Sequence, residues 1–257
     1  MQKLVGCLQW LCTSTRPDIA TITNLLAQHT HKASKGHLDA VKRVVRYLKG
    51  TKSMGIAFHS RVNSNLSSFV KFPIDPQTTT PFTDANWGPQ DQSKPKPNDP
   101  PLELFKSRSL SGFIIWTNGP LHWMSKRQTI TARSSAEAEI YATDECVKYL
   151  IYLRQLFTDL KLNKHFMKGP TRIYNDNAAC VQWAVNLTTK GLRHIQMREN
   201  AVREEVQKKL VKILHIPGKY NISDMFTKED KDVKHFTSIR DMVLEPLPSG
   251  RPTSIFK

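Results

Sequence analysis

The sequence predicts an α/β fold, with a mixed five-stranded sheet flanked by helices and preceded by a small helical segment. Three observations predict it. Before about residue 60 the apolar residues follow helical spacing only. Three strand-like runs then lie close together in the segment 80–127, two of them joined by Asn118-Gly119. From Ser134 onward helical and strand-like runs alternate, giving the order β-β-β-α-β-α-α-β-α. A meander followed by alternation is the pattern of an α/β sheet with mixed strand directions.

The elements follow in chain order. "TRPDIATITNLLAQHTH" places Asp18 near a helix start and Ile19, Ile22, Leu25 and Leu26 at helical spacing. In "SKGHLDAVKRVVRYLKGT", Leu38, Val41, Val44, Val45 and Leu48 form an apolar stripe. Lys42, Arg43 and Arg46 lie off it, and Gly50 stops the helix. Residues 61–78 are Ser/Asn/Thr-rich with two prolines and read as a linker. "TPFTDANWG" reads as a strand, and the Pro- and charge-rich stretch 89–108 as an exposed excursion. "SLSGFIIWTNGPLHWMSKRQT" reads as a hairpin turned by Asn118-Gly119. A long helix from Ser134 to about Leu160 follows, with Ile140, Val147, Leu150, Ile151 and Phe157 on its apolar face. Then come a strand "RIYND", a helix from Asn177, a basic helix "RHIQMRENAVREEVQKK", a strand "LVKILHIPG" and a short helix "NISDMFTK". Residues 236–257 read as a tail. Trp87, Trp116 and Trp123 are expected in the core.

Composition narrows the function classes. The formal net charge is +16 over 257 residues. That exceeds the magnitude of roughly 2–8 that keeps a small domain soluble, and it favours a polyanionic partner, most simply nucleic acid or an anionic membrane surface. Cys7, Cys12, Cys146 and Cys180 form no CxxC pair and no zinc spacing, and Cys7 and Cys12 lie in an apolar segment, so buried free thiols in a reducing, intracellular setting are expected. "LVGCLQWLC" is too short to span a bilayer and lacks the flanks of a signal peptide, so no membrane partner is expected.

Among only 22 acidic residues, four recur at strand and helix ends: Asp84, Glu137, Asp176 and Asp224. Singly, each has an ordinary use. Asp84 and Asp176 suit turns or N-caps, Glu137 completes a Ser-x-x-Glu capping box with Ser134, and Asp224 suits the surface. Brought together by a sheet, they would repel one another, and at least one would take up a proton. A divalent metal pair removes that penalty. Hard Mg²⁺ prefers carboxylate and water oxygens, and two such ions serve phosphodiester hydrolysis.

Seven ordered blocks carry a family resemblance: "TDANW", "SGFIIW", "LHWMSKRQ", "ARSSAEAEIYA", "IYNDNAA", "LRHIQMRENAVREEV" and "NISDMFTK". Together they resemble the ribonuclease H domain of copia-type LTR retrotransposon polyproteins. "LVGCLQWL", "TRPDIA" and "HLDAVKRVVRYLKGT" resemble the end of the reverse transcriptase that precedes it. The resemblance covers about Gln2 to Lys228. It implies a ribonuclease H-like fold in 79–235, a helical end of reverse transcriptase in 1–60, and a two-metal hydrolase that cuts the RNA strand of RNA–DNA hybrids. The implied cofactor is Mg²⁺, two ions, with Mn²⁺ as a substitute. The implied partners are the hybrid and the upstream reverse transcriptase domain, within an intracellular particle or the nucleus.

Carried over by position, Asp84, Glu137, Asp176 and Asp224 match the family's catalytic and metal-binding acids. Glu139, two residues on, is assigned to a different helix face. On this reading Glu137 points towards Asp84 and Asp176 and Glu139 points away. The candidate substrate contacts are Arg133, Asn175, Arg193 and His194. The chain departs from the family in three places. The loop "PGKYNIS" before the last acid lacks the histidine common in cellular relatives, with His215 on the preceding strand. Asn86 and Ala136 replace an acid and a threonine. No Tyr-x-Asp-Asp polymerase motif is present, so the chain reads as the C-terminal piece of a larger polyprotein. The alternative function is a catalytically weak remnant acting as a nucleic-acid-binding module.

Overall fold

A computed structural model describes residues 1–59, 64–71, 78–87, 108–185, 196–228 and 232–247. Three helices come first: α1 (Gln2–Ser14), α2 (Ala20–Ala27) and α3 (Lys35–Gly50). Ser34 caps α3 by accepting from the His37 N–H at 3.3 Å. Val41 and Val44 are buried, and Lys42, Arg43 and Arg46 face solvent. A short strand β1 (Met54–Gly55) and a helix α4 (Ser64–Phe69) lead to the sheet.

The sheet strands are β2 (Thr80–Asn86), β3 (Leu110–Trp116), β4 (Pro120–Arg127), β5 (Thr171–Asn175) and β6 (Val211–His215), in the spatial order β4-β3-β2-β5-β6. β4, β3 and β2 form the antiparallel meander, while β5 pairs parallel to β2 and β6 parallel to β5. The mixed five-stranded sheet is therefore the one expected. Asn118 adopts φ 54°, in the left-handed region the tight β3–β4 turn needs. The remaining helices are α5 (Ser135–Asp159), α6 (Asn163–Phe166), α7 (Ala178–Val185), α8 (Gln196–Gln207) and α9 (Val233–Val243), with a last short strand β7 (Glu245–Pro246). A 3₁₀ segment, Ile222–Phe226, stands where the short helix "NISDMFTK" was expected.

Successive strand residues point to opposite faces, and here both faces are apolar. Phe113, Ile115, Ile173 and Ile213 pack with Ile140, Val147 and Leu150 of α5, Trp183 of α7 and Val202 of α8. Phe82, Ile114, Trp116 and Tyr174 point the other way. They share a core with Val5 and Leu8 of α1, Val41 of α3, Phe226, and Ile239 and Val243 of α9. Polar links join the same parts. Thr21 Oγ1 donates to the Met225 carbonyl at 2.6 Å, Asn24 Nδ2 to the Ser125 carbonyl at 2.6 Å, and Trp123 Nε1 to the Cys12 carbonyl at 2.6 Å. A buried pair, Arg16–Asp18 at 2.7 Å, accepts the Tyr47 hydroxyl and ties the start of α2 to α3.

Four expectations are corrected. The stretch read as a linker contains α4, whose Leu66 is buried, and Val70 just beyond it is buried too. The stretch read as a tail begins within α9 and continues into β7, which pairs with β1 (Met54↔Pro246). Trp87 is about half exposed and donates its indole N–H to the Ala132 carbonyl at 3.0 Å, whereas Trp116 is core. Cys7 is exposed, while Cys12, Cys146 and Cys180 are buried free thiols.

Candidate metal centre

Asp84 lies on the central strand. β2 and β5 run parallel with Thr83 opposite Asn175, so the next residue of each strand, Asp84 and Asp176, emerges at the same carboxyl edge. Ligand sites of open α/β sheets form at such edges. Glu139, in the second turn of α5, completes the group. One carboxylate oxygen from each of Asp84, Glu139 and Asp176 lies within 4.8 Å of the others.

The neighbours orient these acids. The Asn175 amide donates to Glu139 Oε2 at 2.9 Å and to Thr83 Oγ1 at 3.0 Å, while its Oδ1 accepts the Asn177 N–H at 2.8 Å. Thr227 Oγ1 donates to Asp84 Oδ2. Gly112 faces Asp84 across the β2–β3 ladder. A Cβ there would meet Phe226 Cβ at 2.6 Å and Thr227 Cγ2 at 2.7 Å. Only glycine lets the segment carrying Thr227 lie against β3. That segment is held by Asn221 Nδ2 on the Thr83 carbonyl at 3.0 Å and by Asn86 Nδ2 on the Thr227 carbonyl at 3.3 Å.

Electrostatics follow from this crowding. Burial raises the Asp84 carboxyl from 3.8 to about 7, with the Asp224 negative charge adding to the rise and Lys228 opposing it. Burial also raises Glu139 well above the usual range, and Asp84 pushes the same way. The donor set is all hard oxygen, and its negative charge is only partly compensated. Both properties fit a divalent cation of the Mg²⁺ class.

The expected site is thus corrected at one acid. Glu137 does not face Asp84. Its Oε2 accepts the Arg133 N–H at 2.6 Å, and its own N–H donates to Ser134 Oγ at 3.1 Å, so it serves the start of α5. An α-helix turns about 100° per residue, so two residues swing a side chain by about 200°. The offset between the two glutamates was read correctly and the faces were exchanged. Helical phase was the available signal. Glu139 shares a face with Thr143, Cys146, Val147 and Leu150, all buried towards the sheet, while Glu137 leads to Asp144 and Lys148, which pair at 2.7 Å.

Asp224 is buried beside the three acids but outside their group. Its Oδ1 is 2.6 Å from Lys228 Nζ and its Oδ2 is 3.2 Å from His235 Nε2. Of the expected substrate contacts, Asn175 is corrected: it is fully buried and its amide is committed to Glu139 and Thr83. Arg133 is exposed near the start of α5. Arg193 and His194 lie outside the described residues. Sequence reasoning missed Thr227, Lys228, Asn221 and His235. The Asp224–Lys228 pair was visible as an i,i+4 spacing; the others depend on long-range packing.

No protein-family model matches the chain. It is 28% identical over 228 residues to the retrovirus-related Pol polyprotein from transposon RE1 of Arabidopsis thaliana, covering 88% of this chain and 13% of that protein. It is 28% identical over 227 residues to the corresponding polyprotein from transposon TNT 1-94 of Nicotiana tabacum, covering 87% of this chain and 15% of that protein. The chain therefore spans about a seventh of the length of these curated relatives. Among solved structures, LC11-RNase H1, isolated from compost by a metagenomic approach, overlays on 59% of this chain and 93% of its own, with a TM-score of 0.40 and 16% identity. Among the described residues no helix is long and apolar enough to cross a membrane. Over most of its length the chain is thus similar to one stretch of the retrovirus-related Pol polyproteins of transposons.

Proposed function

We propose that this chain is a divalent-metal hydrolase of the ribonuclease H type that cuts the RNA strand of RNA–DNA hybrids during retrotransposon reverse transcription. The observation that carries this reading is the convergence of Asp84, Glu139 and Asp176 at one sheet edge, their oxygens within 4.8 Å. The relationship to transposon Pol polyproteins supports it. In the same reading, residues 1–60 are the end of the reverse transcriptase, and the chain works beside that enzyme in an intracellular particle or the nucleus.

A bound pair of Mg²⁺ ions would supply an activated water and stabilise the leaving oxygen of the phosphodiester. The chain supplies the rest. Asp84, Glu139 and Asp176 hold the cations, with Asp224 beside them. Asn175 fixes the Glu139 carboxylate from within the core, and Thr227 fixes that of Asp84. The positive excess, +16, draws the hybrid's phosphates to the molecule. Recognition rests on helix shape and 2′-OH groups rather than on base sequence.

The test is cleavage of a labelled RNA–DNA hybrid in Mg²⁺, with double-stranded DNA and single-stranded RNA as controls. Asp84→Asn and Glu139→Gln should abolish cleavage, whereas Glu137→Gln should retain most of it. Loss in Glu137→Gln with retention in Glu139→Gln would overturn the assignment. Wild-type protein that binds the hybrid without cutting it would instead be a nucleic-acid-binding remnant.

A further inference from the structure

We propose that Lys228 is a tethered counter-cation seated on the Asp84–Asp224 edge of the carboxylate site, and that a second divalent ion reaches this edge only by displacing it. The inference rests on the metal-dependent reading above and deepens it. Lys228 Nζ lies 2.6 Å from Asp224 Oδ1 and 3.9 Å from Asp84 Oδ1. Both carboxylates are almost fully buried. The ammonium thus bridges Asp224 and Asp84, closer to Asp224.

The backbone sets this seat. The Lys228 N–H donates to the Asp224 carbonyl at 2.9 Å, so one helical turn brings the side chain back over Asp224. Burial alone would favour the neutral amine, but the Asp84 and Asp224 charges outweigh it and raise Lys228 above its ordinary value. Three acids are left grouped for a cation, and Asp224 is not one of them. The site is therefore asymmetric: one position is open to a divalent ion and the other is held by an internal monovalent charge.

The seat can also be vacated. The Lys228 side chain is 40% exposed. It borders a cleft of about 570 Å³ between the first helices and the 3₁₀ segment, walled by Ile19, Arg43, Tyr47, Met225 and Phe236. A displaced ammonium has room there and remains close to the site. Compact divalent charge attracts two carboxylates more strongly than one ammonium does, so displacement depends on cation concentration.

The experiment is a titration of the full chain with Mn²⁺, free ion being followed by electron paramagnetic resonance, for wild type, Lys228→Met, Lys228→Arg and Lys219→Met. The second binding step should tighten roughly tenfold in Lys228→Met and the first step by less. Lys228→Arg should resemble wild type. Lys219→Met, which removes a nearby charge that rests on the Tyr220 ring, should change either step less than about twofold. Unchanged steps in Lys228→Met, or an equal gain in Lys219→Met, would overturn the proposal. If none of the proteins binds Mn²⁺, the metal-dependent reading itself falls and this proposal with it. Wild-type protein offers a second readout without substitution. The lysine Cε–Hε resonance of Lys228 should move during the second Mg²⁺ step; a resonance that stays fixed while two ions bind would also overturn the proposal.

Discussion

Metal-free protein should lose stability as the pH rises, and Asp84→Asn should remove much of that loss. The Asp84 carboxyl titrates at about 7 in the folded chain against 3.8 for the free side chain. A carboxyl raised by folding contributes stability that is fully present below its unfolded value and is lost as the pH climbs through its folded value. Each pH unit between the two is worth about 1.4 kcal/mol. From pH 5 to pH 8 the loss assigned to Asp84 is therefore roughly 3 kcal/mol, or about 5–10 °C in melting temperature for a chain of this size. Glu139 is raised too, and Asp84 is one cause, so removing the Asp84 charge eases both. Thermal melts in EDTA at pH 5, 6, 7 and 8 measure the effect. Asp84→Asn should lie within about 1 kcal/mol of wild type at pH 5 and gain on it steadily towards pH 8. Saturating Mg²⁺ at pH 8 should restore the wild type and leave the variant almost unmoved. A wild-type-minus-variant difference that is the same at pH 5 and pH 8 would refute the reasoning.

Gly112→Ala should cost roughly 1–3 kcal/mol by overpacking against Phe226 and Thr227, and urea melts should show it together with weaker Mn²⁺ binding. Asn175→Ala should cost about 1–3 kcal/mol by stranding buried polar atoms. Since the Asn175 bond lowers Glu139, it should also steepen the loss of stability with rising pH, which the same melts detect. Hybrid affinity should fall linearly with log salt, and replacing exposed Arg43 and Arg46 with alanine should reduce the slope by about 1–2 if α3 meets phosphates. Fluorescence anisotropy at several salt concentrations decides this, and an unchanged slope removes α3 from the contact surface.

Much of the fold was legible because its signals are local. β3 and β4 are rich in Phe, Ile and Trp and flank an Asn-Gly turn, and α5 carries a long apolar stripe. The misread stretches differ in kind. α9 was readable: Phe236, Ile239, Met242 and Val243 repeat at helical spacing, and Asp232 caps the helix. The stretch around α4 was not, since its surroundings are polar and Leu66 and Val70 gain their role only from neighbours distant in sequence. β7 is two residues long and exists only because β1 pairs with it. For the site, Asp84 and Asp176 were legible from strand ends, whereas the choice between Glu137 and Glu139 needed the helix phase.

That choice also shows how one short stretch serves two needs. The opening turn of a helix leaves backbone N–H groups without partners. Ser134 takes one and the Glu137 carboxylate takes that of Arg133, just before the helix. A carboxylate spent in this way cannot reach the sheet edge about 200° around the helix axis. Glu139 lies past the end of the helix's unmet donors. Its carboxylate meets the amide of buried Asn175 instead. Asn175 sits one residue before Asp176 and opposite Thr83, itself one residue before Asp84. A single buried amide thus ties the helix glutamate to the two strands that present the other acids. The cap sets where α5 begins, and the strand pairing sets where its second turn must point. The three carboxylates converge because both constraints act on the same short stretch, Ser134 to Glu139: Ser134 and Glu137 fix the helix start, and Glu139 meets the strands through Asn175.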